Sequence, residues 1–127
     1  MINNSNIIKL LLDTFPDFAV SPEAEGYDLD LPHLAFAAFS DYVARVIENS
    51  DDPSNNPEII RVVAFLEQMS KSDDKKVKDL LLVGFFEPIL DSKKSINILK
   101  LMLSDQGKAD LLKVTEWRPV FGSKNIE

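Results

Sequence analysis

The chain has 127 residues, of which 45% are hydrophobic and 28% charged, and its formal net charge is -7. A chain of this length is the size of one ordinary domain and is expected to bury roughly two-thirds of its unfolded surface. It contains no cysteine, which excludes disulfides and thiolate metal sites.

The N-terminal stretch predicts a helix from about Asn4 to Phe15. Its apolar residues recur at the i, i+3 and i+4 spacing of one buried helix face, and Pro16 is expected to end it. This apolar cluster is short and is interrupted by charges, which argues against a signal peptide or a membrane span. We therefore expect a cytoplasmic protein without membrane contact.

Residues 16–31 read as an acidic loop, since they hold two prolines, a glycine and five acids. No lysine or arginine occurs between Lys9 and Arg45, whereas seven acids do. They are Asp13, Asp17, Glu23, Glu25, Asp28, Asp30 and Asp41. The remaining 14 acids and 14 bases cancel, so the whole net charge of -7 is local to this window.

Two helices are predicted in the middle of the chain. The first runs from about Pro32 to Asn49, with proline in the first helical position. The turn-rich stretch SDDPSNNPE follows, in which Asn56 is a good N-cap. The second helix is then expected over about residues 57–70, with one apolar face at helical spacing.

The fourth predicted helix contains VKDLLLVGFFEPIL, residues 77–90, and is expected to be capped by Ser72 or Asp73. Because it is apolar on nearly all sides, it should lie in the centre of the domain.

Three residues interrupt this apolar run. Gly84 indicates the close approach of another helix, because glycine in a helix interior costs about 1 kcal/mol relative to alanine. Pro88 should end or kink the helix near Glu87. A carboxylate in such surroundings needs a partner, so Glu87 either bonds the amides at the start of the next helix or belongs to a site.

Two further helices are predicted, over about residues 93–104 and 107–117. Trp117 is expected to pack over the core as a lid, and residues 120–127 to fray. We therefore predict an all-α fold, in which residues 1–127 form one domain of five or six helices. These helices are expected to stack as antiparallel pairs, in the manner of a helical repeat.

Sites of catalysis and of metal or cofactor binding are not expected. His33 is the single histidine, the four glycines stand alone, and no G-x-S-x-G turn occurs. Asp28 and Asp30 are paired carboxylates, but a loop lacks the burial that tunes acid-base groups, and they lack the other ligands of a calcium loop. The lysine clusters are diluted by acids, which disfavours direct binding of nucleic acid.

The order of a polar linker, the segment DKKVKDLLLVGFFEPIL and a helix ending in VTEWRP resembles a family of bacterial proteins. These are small all-helical immunity proteins, encoded beside polymorphic or contact-dependent growth-inhibition toxins. The segments LPHLAFAAFSDYVARVIE and PEIIRVVAFLEQM fit the same pattern, so the resemblance covers about Leu31 to Pro119. It implies a non-catalytic protein that binds one cognate toxin domain in the cytoplasm and blocks it. Toxin-contacting residues vary within such families, so the resemblance assigns none.

The acidic window independently predicts a surface that binds a basic protein. Toxins that cut nucleic acids are often basic because their substrates are polyanions. An aromatic anchor with charged surroundings has the composition of a recognition patch. The candidate partner-binding residues are Asp17, Glu23, Glu25, Tyr27, Asp28, Asp30 and His33.

Three alternatives stay open. The acidic loop can be a solvated segment that only keeps the protein soluble. The whole chain can also be a helical adaptor or scaffold that binds a regulatory partner, for example through an apolar groove, or that self-associates. An enzyme that uses carboxylates in a cleft would require a deep pocket that gathers Glu87 with another acid.

Overall fold

The computed structural model describes residues 2–117, and every regular element in that range is helical. The helices are α1 (Ile7–Thr14), α2 (Pro16–Ala19), α3 (Pro22–Glu25), α4 (Pro32–Glu48), α5 (Pro57–Ser70), α6 (Lys75–Asp79), α7 (Glu87–Ile89), α8 (Lys93–Met102) and α9 (Asp105–Trp117). A 3₁₀ turn spans Pro53–Asn55, and a π-helical segment, Leu80–Phe86, joins α6 to α7. We call α6, this π segment and α7 together the central helix. The prediction of one all-α domain is confirmed.

The core is a single cluster of apolar side chains arranged around α4. Phe39 of α4 stands at its centre, with its ring centroid 4.9 Å from that of Phe15 and 5.6 Å from that of Phe85. Phe15 in turn meets Phe65 of α5 edge-on at 5.5 Å. Tilted and edge-on aromatic pairs contribute beyond the area that they bury. These rings therefore join the N-terminal helices, α4, α5 and the central helix.

The central helix lies against α4 and runs in the same direction. Phe36 of α4 contacts Gly84, and one turn further along Ser40 contacts Phe85. The contacts thus advance together along both helices. The predicted antiparallel stacking does not extend to this pair.

The chain path explains this parallel packing. α5 returns antiparallel to α4, as the contacts of Phe39 with Phe65 and of Tyr42 with Glu58 show. A second reversal at residues 71–74 then sends the central helix back in the original direction. Sequence periodicity identifies buried faces but does not say which two faces meet.

The central helix changes from π-helical to α-helical geometry at Glu87 and ends at Ile89, one residue after Pro88, so the end expected near Glu87 is present within two residues. Pro88 is the second residue of α7, where it has no N–H to donate to the helix. The preceding seven residues adopt the wider π-helical ladder instead of an α-helix. The hydroxyl of Ser40 donates to the carbonyl oxygen of Phe85 at 2.8 Å, so one carbonyl next to the irregular turn is satisfied by α4.

Gly84 lies where the central helix meets α4 most closely. A Cβ atom at this position would be 3.0 Å from the Cβ of Phe36 and 3.8 Å from Leu80 Cδ2. Phe36 is fully buried and its Cβ is fixed to the α4 backbone. The close approach expected from the sequence is therefore present.

Gly84→Leu is expected to lower the free energy of unfolding by about 2–3 kcal/mol, because it overpacks this contact. Urea denaturation measures the change. Gly26→Leu is the matched control, since a Cβ at the exposed Gly26 meets only ordinary contacts, the nearest at 3.6 Å. A Gly84→Leu protein as stable as the wild type would contradict the close packing of α4 on the central helix.

One helix cap is the predicted residue and another is not. Asn56 caps α5, and its side chain accepts from the amides of Glu58 and Ile59. The central helix is capped by Asp74, not by Ser72 or Asp73. Asp74 also accepts from the amide of Asn4 at 2.8 Å, which ties the N-terminus to this cap. That long-range contact favours Asp74 and is invisible to local capping rules.

A buried polar network around Asp110 attaches α9 to α5 and α6. Asp110 is 2% exposed and accepts from Lys78 Nζ at 3.0 Å and from the hydroxyl of Ser70. Lys78 Nζ also donates to the carbonyl oxygen of Ser70 at 2.7 Å. Gln106 donates to the other carboxylate oxygen of Asp110 at 3.4 Å. This network connects α5, α6 and α9 through polar groups rather than apolar packing.

Three further predictions are corrected or fall outside the description. Residues 16–31, predicted as a loop, contain α2 and α3, because a proline in the first position starts each of these short helices. Trp117 is 51% exposed and does not pack as a lid. The predicted fraying of residues 120–127 lies outside the described residues.

Candidate protein-interaction surface

Residues 16–31, which we call the acidic segment, are held on the surface of α4 by two side-chain contacts. Arg45 donates to both carboxylate oxygens of Glu23, at 2.6 and 3.0 Å. Tyr27 donates its hydroxyl to Asp41 at 3.0 Å. The segment is therefore an ordered surface, and the ordering cost of a loop is reduced before a partner binds.

Glu23 was predicted to bind a partner, but its carboxylate is occupied within the protein. Only 16% of its side chain is exposed, and both of its carboxylate oxygens accept hydrogen bonds from Arg45 in a bidentate pair. Arg45 is the first base after Lys9, and the pair with Glu23 neutralises its charge. Glu23 therefore positions the acidic segment, and the sequence could not show this because the two residues are 22 positions apart.

The remaining predicted acids are available to solvent. Asp17, Glu25, Asp28 and Asp30 are all exposed. Asp28 accepts from the amide of Asp30 at 3.0 Å, which fixes the turn before α4. None of these four carboxylates has a cationic partner among the described contacts. The exposed negative charge of the acidic segment is thus uncompensated.

The two non-acidic candidates take different positions. Tyr27 is partly exposed, and the hydrogen bond from its phenol to the Asp41 carboxylate raises its pKa. His33 stands in the first turn of α4, with Nε2 3.7 Å from a carboxylate oxygen of Asp79 on the central helix. Since His33 and Asp41 are eight residues apart, they lie about 12 Å apart along the α4 axis. The predicted residues form an extended surface rather than a compact pocket.

Sequence reasoning missed exposed apolar residues in the same region. Leu31, which precedes α4, is 51% exposed and Leu34 in its first turn is 39% exposed. Val20, between α2 and α3, is 79% exposed. The alternation of Asp28, Leu29, Asp30 and Leu31 was the available signal, but it does not reveal that Leu29 packs on the core while Leu31 faces solvent.

The Glu23–Arg45 contact predicts a pH dependence of stability. The hydrogen bond from Arg45 holds the pKa of the Glu23 carboxyl below its ordinary value of 4.5. Because the folded value is the lower one, the pair stabilises the protein above pH 4.5 and loses its effect as the pH falls through the folded pKa. Glu23→Gln should therefore cost about 1 kcal/mol at pH 7 and nothing at a pH below the folded pKa.

Urea denaturation at both pH values measures this difference. Glu25→Gln is the control, because Glu25 is exposed and no lysine or arginine lies within one helical turn of it. A loss of stability in Glu23→Gln that is equal at both pH values would contradict an ionic role for Glu23.

Glu87 does not cap the next helix, as one of its two predicted roles required. The amide that it was expected to bond, at the start of α8, is bonded instead by Ser92, which accepts from Ser95 at 3.2 Å. Glu87 is only partly buried, so its carboxylate reaches solvent. Ser92, directly before the helix, is the residue type that local capping rules favour.

Two cavities of the described residues lie away from the acidic segment. One, of about 310 Å³, is lined by Ile2, Gln68, Lys71, Ser72 and Asp73. A neighbouring one, of about 240 Å³, shares Gln68 and lies between α1 and α5. Neither is lined by Glu87 or by an acid of the acidic segment. Over residues 2–117, no three His, Asp or Glu side chains are placed to hold a metal ion together.

The comparisons with known proteins place the chain in a family. A family model described as a domain of unknown function, DUF7674, matches residues 8–116, and the chain belongs to that family. No curated protein matches the chain, and no solved structure does. Within the described residues, the helices fall short of the length and apolarity needed to cross a bilayer.

Proposed function

We propose that this DUF7674 protein is an immunity protein, which binds a cognate, basic toxin domain in the cytoplasm and neutralises it. In this proposal, the toxin is of the polymorphic or contact-dependent growth-inhibition type and acts on nucleic acid. The immunity protein has no catalytic activity, no cofactor and no contact with nucleic acid or membrane. The resemblance of residues 31–119 to immunity proteins supports the proposal, as does the all-helical fold.

The observation that carries the proposal is the uncompensated charge of an ordered surface. Asp17, Glu25, Asp28 and Asp30 are exposed, while Arg45 is neutralised by Glu23. A field of one sign accelerates the encounter with a partner of the opposite sign. A nuclease-type toxin carries that opposite charge because it must bind a polyanion.

Helical adaptor function is the second candidate, and the two cavities along α5 favour it. Leu10 and Phe65 line the apolar part of the second cavity, between α1 and α5. An amphipathic helix of a partner can bind a groove of this kind. In this alternative the groove, rather than the acidic segment, binds the partner.

Retention of partners from a native cell lysate at low and at high salt separates the two candidates. The immunity proposal predicts that the tagged protein retains a single basic domain and releases it as salt rises, because exposed charges are screened. Retention of acidic or neutral proteins that survive high salt would reject the proposal in favour of the adaptor.

A further inference from the structure

Exposed apolar side chains of the described residues are concentrated in the acidic part of the chain. Four of the nine large exposed apolar residues fall within residues 20–34. They are Val20, Tyr27, Leu31 and Leu34. The same fifteen positions contain four acids and no lysine or arginine. Exposed apolar side chains that are clustered within one charged segment are typical of an interaction site, whereas singly scattered ones are not.

Leu31 and Leu34 both lie at the start of α4. Leu31 is the residue that precedes the first turn, and Leu34 is the third residue of the helix. Neither side chain is held in the core, since they are 51% and 39% exposed. Asp28 and Asp30 lie in the turn that leads into them, and the Asp28–Asp30 hydrogen bond fixes that turn.

We propose that Leu31 and Leu34 are the apolar anchors of the toxin interface, surrounded by the acids of the acidic segment. The partner surface is then an apolar patch ringed by lysine and arginine. This inference rests on the proposed function and adds to it which residues hold the complex together. Interfaces generally place such anchors in a desolvated centre and charged residues at the rim.

The charge of the surface decides what covers the two leucines. A second copy of this chain would present the same exposed acids and be repelled. An anionic membrane surface and a nucleic acid carry the same sign of charge and are disfavoured for the same reason. Charge complementarity leaves a basic protein as the occupant.

Anchors and rim charges predict different kinetic effects. Losing a desolvated apolar contact speeds dissociation, whereas losing a rim charge slows association and changes its salt dependence. We therefore expect the double variant Leu31→Ala, Leu34→Ala to dissociate roughly 30-fold faster from the toxin domain, with an almost unchanged association rate. Both side chains are exposed, so the variant should fold normally.

The test is surface plasmon resonance with the basic domain retained in the lysate experiment, immobilised in a form without its toxic activity. Leu101→Ala is the matched control, because Leu101 is 70% exposed on α8, away from the acidic segment. Poly-lysine is a second probe, which binds the acidic segment through charge alone, and its binding should be the same for the double variant and the wild type.

Each outcome decides between the proposals. Faster dissociation from the toxin domain, with unchanged binding of poly-lysine, supports Leu31 and Leu34 as anchors. Unchanged dissociation in a variant that still shows charge-dependent association overturns the anchors and leaves the proposed function standing. If the lysate yields no basic domain, the proposed function fails and the anchors fail with it.

Discussion

The triple variant Glu25→Lys, Asp28→Lys, Asp30→Lys is expected to bind the basic toxin domain roughly 100-fold more weakly than the wild type, mainly through slower association at low salt. These three acids are exposed and have no cationic partner among the described contacts. Reversing them replaces attraction with repulsion at the surface proposed to meet the toxin. Isolated exposed charges contribute little to folding, and the bond from the Asp30 amide to the Asp28 carboxylate is the described side-chain contact that the variant loses, so the thermal midpoint should fall by a few degrees at most. Asp28→Asn keeps an oxygen acceptor for this amide and shows how much of the weakening is due to charge.

Glu23 is left out of this variant for a structural reason. Its reversal would place a lysine against Arg45 and would disturb the acidic segment itself, so a loss of binding would have two explanations. The matched control is Asp73→Lys, Asp105→Lys, Glu116→Lys, which changes the net charge equally at exposed positions outside the acidic segment. Equal weakening by both variants would show a general charge effect, and unchanged binding by the first would reject this surface.

Lys78→Met is expected to lower the free energy of unfolding by about 2–3 kcal/mol, because it leaves the buried Asp110 carboxylate without its cation. This loss is below the usual range of about 3–5 kcal/mol for a broken buried pair, because Lys78 is partly exposed. The substitution also removes the bond from Lys78 Nζ to the carbonyl of Ser70 at the end of α5. For a domain of this size the thermal midpoint should fall by roughly 10 °C.

The double variant Lys78→Met, Asp110→Leu is the control for this effect. Replacing both charges with apolar side chains removes the desolvation cost together with the attraction, so it should recover most of the lost stability. A Lys78→Met protein with an unchanged thermal midpoint would contradict the role of the pair in fixing α9. A double variant less stable than the single one would show that Ser70 and Gln106 depend on the carboxylate.

The helices were predictable from the sequence where one local signal sufficed. Proline in the first position located the start of α4, and Asn56 with Pro57 located the start of α5. Gly84 correctly indicated a close approach. The π segment before Glu87 was not predictable, because it depends on how the central helix packs on α4, including the bond from Ser40.

The candidate surface was predictable as a charge pattern but not as a geometry. The absence of bases between Lys9 and Arg45 identified the acidic region. The sequence did not reveal that Glu23 is held by Arg45 or that Tyr27 bonds to Asp41, because both contacts join residues more than a dozen positions apart. The same limit hid the exposure of Leu31 and Leu34, since their residue type predicts burial.

Inhibition of the partner's activity is the most direct test of the account. The basic domain retained at low salt should be assayed for cleavage of nucleic acid while the purified protein is added in increasing amounts. The account predicts that activity disappears at equimolar protein, and that the Glu25→Lys, Asp28→Lys, Asp30→Lys variant requires a large excess. A domain that stays fully active when saturated with this protein would contradict the immunity function.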